Sequence, residues 1–403
     1  MQAAWQHELS VAAILEQARR GRRLSREDGY ALVHAPPGEI DVLLEAAAAL
    51  RDEGHGRRVT FSAKVFVPLT TLCRDYCGYC TFRRDPGEPG ARTMEIEEVL
   101  ELAARAERAG VKEALFSLGD RPEAVFPEHR RWLAERGHNT TLGYLRAACG
   151  AVVEKTTLLP HSNPGLMGER DIRALREVNA SLGLMLETTS DRLLRAGGAH
   201  DRAPDKIPRR RLFTIELAGV LRVPFTTGIL IGIGETAEER VDSLLAIRDM
   251  HDRYGHIQEV IVQNFRAKPS VRMRDEPHAS FDDLQKTVAV ARLLLGARMN
   301  LQAPPNLSPS TYPALLRAGL NDWGGISPLT IDHINPEAPW PALVALRDAT
   351  VGAGFELRER LSVYPEYILD HPGFLEDGMR SRALAMIGTD GLVRQELESW
   401  RSW

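Results

Sequence analysis

The sequence predicts an α/β fold: a closed parallel (βα)8 barrel with a helical lead-in before it and a helical appendage after it. Three observations carry that expectation. Between residues 59 and 326, short runs rich in Val, Ile, Leu and Phe alternate with longer stretches of helical periodicity, the pattern of parallel strands joined by crossover helices. A chain of 403 residues, 43% of them hydrophobic, is long enough to build such a barrel and fill its core. The chemically distinctive residues fall where strand runs give way to loops, the face on which parallel α/β folds carry their chemistry.

In chain order, residues 1–56 form the lead-in, 57–354 the barrel and 355–403 the C-terminal helical extension. Ser25-Arg26-Glu27-Asp28 reads as a capping start, and 40–50 carries apolar residues on a helical stripe. Residues 59–69 make a first strand that ends in Pro68-Leu69-Thr70 and feeds straight into a cysteine loop. A helix follows to residue 109, then a strand at 113–118, a helix at 139–153 after a longer loop, and a strand at 156–159. Next come a helix at 169–179, an extended stretch at 182–186, a helix at 209–221 and a glycine-broken buried strand at 225–233. Thr236-Ala237-Glu238-Glu239 is a capping box opening a helix over 237–254. Strands at 259–264, 299–303 and 323–326, with helices at 281–295 and 312–318, complete the alternation. No internal repeat or low-complexity linker interrupts it.

The charge balance excludes some partners. With 51 basic and 55 acidic residues the net charge is −4 and no basic block stands out, so a small-molecule substrate is expected rather than nucleic acid. Met1-Gln2-Ala3-Ala4-Trp5-Gln6-His7-Glu8 lacks the charged segment and apolar run of a signal peptide. No apolar run reaches the roughly 18 residues needed to cross a bilayer, so a cytoplasmic protein with no membrane partner is expected. Four cysteines, three of them crowded together, cannot make a disulfide framework and suit a reducing compartment.

The crowded cysteines lie in Leu72-Cys73-Arg74-Asp75-Tyr76-Cys77-Gly78-Tyr79-Cys80-Thr81-Phe82. Three thiolates at this spacing can close on one face of an iron-sulfur cube, leaving one iron without a protein ligand. A cluster built only for electron transfer would take four cysteines. A structural zinc knuckle would need four closed ligands, but the next histidine is His129 and the next cysteine Cys149. Cys149 sits in a helical stretch and reads as a small buried hydrophobe.

The Cys-x3-Cys-x-aromatic-Cys pattern resembles the signature of the radical S-adenosylmethionine superfamily, and the flanks from Asp75 to Arg84 resemble its 7,8-didemethyl-8-hydroxy-5-deazariboflavin (FO) synthase family. The resemblance implies a TIM-type barrel of the radical S-adenosylmethionine kind. It further implies a 4Fe–4S cluster on Cys73, Cys77 and Cys80, and S-adenosylmethionine on the open iron. Tyr79, inside the motif, would border that cofactor. Gly119-Asp120 matches part of the superfamily's Gly-Gly-Glu stretch, which receives the cofactor's amino group; read without the resemblance it is an ordinary turn. Glu187 corresponds to a ribose-binding glutamate, or else is a surface carboxylate at the start of a loop. Arg211 corresponds to an arginine that pairs with the cofactor's carboxylate, and of Arg209, Arg210 and Arg211 only one can face inward from a helix. Gly228, Gly232 and Glu235 resemble the Gly-x-Ile-x-Gly-x-x-Glu element that walls the adenine, or else mark a glycine-kinked strand.

Asn264, Asn306 and Asp322, after or on the later strands, are substrate-binding candidates, each also plausible as a turn former or cap. His161 follows the third strand as a titratable group or a structural histidine. No side chain is assigned as catalytic, because the radical would come from the cofactor. The resemblance implies radical cyclisation with ammonia loss, a lyase reaction, on 5-amino-5-(4-hydroxybenzyl)-6-(D-ribitylimino)-5,6-dihydrouracil, giving FO for deazaflavin coenzyme F-420. It implies a separate hydroxybenzyl transferase (FO synthase subunit 2) as supplier and a reductant such as flavodoxin or ferredoxin. The alternatives are another radical carbon-carbon bond-forming enzyme, of the hydroxybenzyl transferase or menaquinone-pathway type, and an iron-sulfur electron carrier.

Overall fold

The computed structural model describes residues 9–402; the first eight residues of the expected lead-in, and Trp403, lie outside the described residues. The lead-in consists of α1 (Val11–Arg19), α2 (Arg26–Val33) and α3 (Ile40–His55). The capping box is present at α2, where the Ser25 hydroxyl accepts from the Asp28 amide and the Asp28 carboxylate from the Ser25 amide.

The barrel runs β1 (Arg58–Thr70), α4 (Ile96–Arg108), β2 (Glu113–Leu118), α5 (Pro127–Glu135), α6 (Thr141–Lys155), β3 (Leu159–Asn163), α7 (Glu169–Arg176) and β4 (Ser181–Gly183). It continues with α8 (Pro208–Val220), β5 (Phe225–Ile231), α9 (Ala237–Tyr254), β6 (Ile257–Asn264), α10 (Phe281–Leu295), β7 (Leu301–Gln302), β8 (Asp322–Ile326) and α11 (Leu343–Gly352). All neighbouring strands are parallel, and β1 pairs with both β2 and β8, so eight strands close on themselves. Helices cover the outside, so strands such as β5 read as continuous apolar runs and are buried at every position. On β8, Trp323 is fully buried against the edge of Tyr312, and its indole N–H finds Thr350 Oγ1 at 3.0 Å. Among the described residues, no helix is long and apolar enough to cross a membrane.

Three elements differ from expectation. α5 lies where only a loop was expected, because its polar sequence gives little periodic signal. β3 begins three residues late, at Leu159, since its later residues His161, Ser162 and Asn163 are polar yet buried or half-buried. The C-terminal extension is not wholly helical: it opens on a strand, β9 (Glu356–Glu359), before α12 (Pro365–Leu369) and α13 (Asp377–Leu384). β2 pairs with β1 only from Lys64 onward, and β9 pairs with Arg58–Phe61, satisfying backbone groups that would otherwise be left open. Beyond β9 the chain runs under the amino ends of the strands, where Arg360 meets Asp322 (2.6 Å) and Glu259 (2.9 Å).

Candidate active site at the carboxyl ends of the strands

The site is built outward from the end of β1. The loop that follows is pinned by backbone bonds from three directions: Arg74 N–H to Asp120 O (3.1 Å), Tyr76 N–H to Arg202 O (3.1 Å), Gly78 N–H to Ala199 O (2.7 Å) and Met273 N–H to Gly78 O (2.9 Å). Cys73, Cys77 and Cys80 are thereby held in a rigid frame along one cavity of about 240 Å³. Gly119 closes the frame from β2. A Cβ there would lie 1.9 Å from Leu72 O and 2.6 Å from Cys73 Cβ, so only glycine permits the approach.

The donor set fits an iron-sulfur cube better than a single ion. Among the described residues, the one trio of His, Cys, Asp or Glu with ligand atoms all within 4.8 Å is Asp75, Asp120 and Asp205. At least one pair of the three cysteine sulfurs is therefore more than 4.8 Å apart, beyond the spacing of about 3.8 Å that tetrahedral zinc with bonds of about 2.3 Å would impose. Cys149 is remote from the cavity, buried in α6 against Ser162 and Asn179. The amides of Asp120 (3.2 Å) and Asp75 (3.4 Å) donate to Cys73 Sγ, an arrangement that favours a thiolate. Without a metal, burial instead drives the Cys73 thiol well up and the Cys77 thiol up to about 12. Loading the site must therefore expel protons.

Of the expected cofactor contacts, Tyr79, Gly119, Asp120, Glu187 and Arg211 all line this cavity. The Tyr79 hydroxyl meets His200 Nε2 at 3.1 Å. Asp120 receives the Leu166 amide on Oδ2 (3.0 Å), while its buried Oδ1 makes no hydrogen bond and has Arg121 Nε 3.8 Å away. Burial, then Asp205 and Asp75, push its carboxyl up to about 7. Glu187 adopts a left-handed backbone (φ 66°), held because its N–H bonds Gly228 O and its C=O accepts from Leu230 N–H, both 3.0 Å. Its carboxylate pairs with Lys206. Arg211 is the inward member of its trio, with Arg209 and Arg210 exposed; its guanidinium donates to Met185 O (2.7 Å from Nε) and Asp205 O (3.1 Å).

Other expected contacts lie elsewhere. The missing side chain of Gly228 makes room for β6, since a Cβ would lie 2.2 Å from Ile261 O. Gly232 (φ 86°) forms a turn in which Glu235 accepts from the amides of Gly232 and Ile233, both at 2.8 Å, and pairs with Arg240. None of these three borders the cavity; on β5 that surface belongs to Leu230. Among the substrate candidates Asn264 lines the cavity, with its Oδ1 buried and unpartnered. Asn306 instead ties down the later loop through Asp332 (3.0 Å) and Ala338 O (3.1 Å). Asp322 stands at the amino end of β8, at the opposite mouth of the barrel, bonded to Thr60 and Arg360. His161 is a structural group bonded to Ser181 (2.6 Å), pulled down to about 4 chiefly by burial.

The sequence did not single out Lys206, Arg266 or Lys268, which bring positive charge to the cavity. Lys268 is fixed by Asn335 Oδ1 (2.6 Å) and Ile334 O (3.0 Å). Nothing in local sequence marks these cations among 51 lysines and arginines. The site thus joins three thiols, the carboxylates of Asp75, Asp120 and Glu187, the Arg211 guanidinium, amides and further cations in one cavity whose apolar wall includes Leu118, Leu184, Leu230 and Phe265.

Comparison with known proteins agrees with this arrangement. The family model of the radical SAM superfamily matches residues 67–247. The chain is 53% identical over 310 residues to the 7,8-didemethyl-8-hydroxy-5-deazariboflavin synthase of Methanopyrus kandleri, covering 77% of this chain and 92% of the relative. It is 49% identical over 411 residues to the FO synthase of Nocardia farcinica, covering 96% of this chain and 48% of the relative. The chain therefore spans about half the length of the FO synthases of this type. Among solved structures, methylornithine synthase superposes with a TM-score of 0.67 at 19% identity, over 85% of this chain and 97% of that one. The FeFe-hydrogenase maturase HydG of Carboxydothermus hydrogenoformans does so at 0.71 and 18%, over 93% and 89%. At such identities these two structures speak to the fold alone.

Proposed function

The chain belongs to the FO synthase family of the radical S-adenosylmethionine superfamily, and on that premise we propose that it forms the deazaflavin FO by cyclisation and ammonia loss from 5-amino-5-(4-hydroxybenzyl)-6-(D-ribitylimino)-5,6-dihydrouracil. Membership implies a 4Fe–4S cluster and S-adenosylmethionine. Together, when bound, they supply a hydrogen-abstracting carbon radical that no side chain can provide.

The protein's part is to hold, orient and shield. Cys73, Cys77 and Cys80 are the cluster ligands in this reading. Asp120 Oδ1, which makes no hydrogen bond, would accept from the cofactor's ammonium, and the N–H groups of Arg211 not spent on Met185 and Asp205 would meet its carboxylate. Glu187, already oriented by Lys206, takes the ribose hydroxyls. Asn264, Gln263 and Asn335, in the same cavity, offer the paired donors and acceptors that a uracil edge and a ribityl chain require. The apolar walls keep water from the reacting carbons. A separate hydroxybenzyl transferase delivers the substrate.

The observation that carries this reading is the set of three cysteines sharing one cavity with Asp120, Glu187 and Arg211. Its test is anaerobic incubation of the reconstituted, reduced protein with the uracil adduct in one arm, and with tyrosine and the ribitylaminouracil in the other. Fluorescent deazaflavin with released ammonia from the adduct alone supports it. Conversion of tyrosine to the adduct would assign the chain to the transferase reaction instead.

A further inference from the structure

The cysteine loop separates two cavities. Cys77 and Cys80 line the interior one and also a second, of about 580 Å³, on the outer side of the loop, rimmed by Arg83, Arg84, Arg202 and Arg272 with Glu88 and Asp201. Four arginines against Glu88, Asp201 and the adjoining Asp85 leave this rim positive on a chain whose net charge is −4.

The way these cations are held is informative. Arg202 is exposed, carries a left-handed backbone (φ 63°), and lays its guanidinium 4.4 Å from the centre of the Tyr76 ring. Arg83 stacks on the same ring at 3.7 Å and pairs with Asp85. Arg84 donates to the carbonyls of Thr81 (2.6 Å), Arg83 (2.7 Å) and Pro89 (3.1 Å), and Arg272 donates to Gly198 O (2.7 Å) with Asp201 only at 3.7 Å. Arg83 is matched by Asp85, but an aromatic face fixes Arg202, and neutral carbonyls fix Arg84 and chiefly Arg272, without discharging them. The result is a preorganised positive ring whose floor is two of the three candidate cluster ligands.

We propose that this outer face is the docking surface for an acidic one-electron carrier protein, of the flavodoxin or ferredoxin class. The inference rests on the radical-enzyme reading of the preceding section and adds where and by what the reductant is recognised. The interior side of the loop is the side facing cofactor and substrate, which leaves the outer side for electron entry. The transfer is one electron: the reduced carrier is oxidised by one, and the centre held by Cys73, Cys77 and Cys80 is reduced by one. A negatively charged partner steered onto the arginine rim brings its redox group toward Cys77 and Cys80 without entering the barrel.

The experiment measures binding first. The dissociation constant of the reconstituted protein for an oxidised, acidic flavodoxin is compared with that of Arg202→Glu/Arg272→Glu and of the milder Arg202→Gln. The charge-reversed variant should bind about tenfold more weakly or worse, and wild-type affinity should fall steeply between about 50 and about 300 mM salt. Formation of 5′-deoxyadenosine driven by reduced flavodoxin should drop in step, while that driven by dithionite stays within about twofold of wild type. An unchanged dissociation constant in the charge-reversed variant overturns the proposal. So does equal loss with both reductants in the Gln variant, or tight binding of inorganic pyrophosphate at this rim with no flavodoxin binding. If the wild type makes no deoxyadenosine even with dithionite, the functional reading fails, and the dissociation constants still decide the docking surface.

Discussion

Glu187 and Lys206 form an ion pair of 2.5 Å in the wall of the interior cavity, with side chains only 9% and 14% exposed. Burial and the neighbouring Arg211 pull the Lys206 ammonium down, but Glu187 and Cys77 outweigh them and it ends above its ordinary value. The carboxylate is thus paired and aimed before any ligand arrives. Glu187→Gln should weaken S-adenosylmethionine binding about tenfold or more, by losing charged hydrogen bonds. Lys206→Met leaves a buried carboxylate unpaired and should cost about 3–5 kcal/mol of stability. Calorimetric titration and chemical denaturation check the two, and the double variant should be less damaged than the sum.

Gly119 is predicted to be intolerant of a single methyl group. Gly119→Ala drives a Cβ into Leu72 O and Cys73 Cβ, displacing the cysteine loop. Iron content should fall, and cofactor cleavage should slow about a hundredfold, the scale of a misplacement of about 1 Å at a reacting centre. Gly378→Ala, on an exposed turn of α13 with nothing within 4 Å of the new Cβ, should leave both unchanged and stabilise the chain by up to about 1 kcal/mol.

Arg360 balances two buried carboxylates at the far mouth of the barrel, Asp322 and Glu259. Arg360→Ala should destabilise the fold by about 3–5 kcal/mol, because it strands buried negative charge. Cofactor affinity at a permissive temperature should be retained, since the residue is at the opposite end from the cavity. A comparable loss of cofactor affinity in the folded variant would contradict that assignment.

Glu359 on β9 supplies a pH dependence. It is fully buried, accepts from the Ser399 amide at 2.5 Å, and burial pushes its carboxyl up to about 7 despite Lys112 at 3.9 Å. Its folded value lies above the ordinary 4.5, so between these limits the folded state binds the proton more tightly than the unfolded one. This group therefore favours folding at low pH, and that contribution is lost as pH rises through about 7. Glu359→Gln should be more stable than wild type at pH near 8, by up to about 3 kcal/mol, with the advantage fading toward pH near 4.5. Denaturation midpoints across that range decide it.

Much of the barrel was legible because its elements carry local signals. The helices at Ala237–Tyr254 and Phe281–Leu295 begin at side-chain caps, Thr236 and Ser280, and were delimited from sequence to the residue. The cysteine spacing marked the loop; helix geometry said only that one of Arg209, Arg210 and Arg211 could face inward, and the family resemblance picked Arg211. What escaped depends on partners distant in the chain. The charged run Glu356–Glu359 does not look like a strand until β1 offers it an open edge, and Asp322 looked like a ligand-binding group because Arg360, which claims it, lies 38 residues away. Gly228 and Gly232 carry a recognisable motif, yet the space they leave is taken by Ile261 and Ala279.

The central claim is that Cys73, Cys77 and Cys80 hold a four-iron cube with one iron open to a sulfonium ligand. The most direct measurement is the electron paramagnetic resonance spectrum of the anaerobically reconstituted, reduced protein before and after adding S-adenosylmethionine. A 4Fe–4S signal that shifts on addition and is missing from Cys77→Ala is the expected result. A signal indifferent to S-adenosylmethionine, or a protein that takes up only zinc, would contradict it.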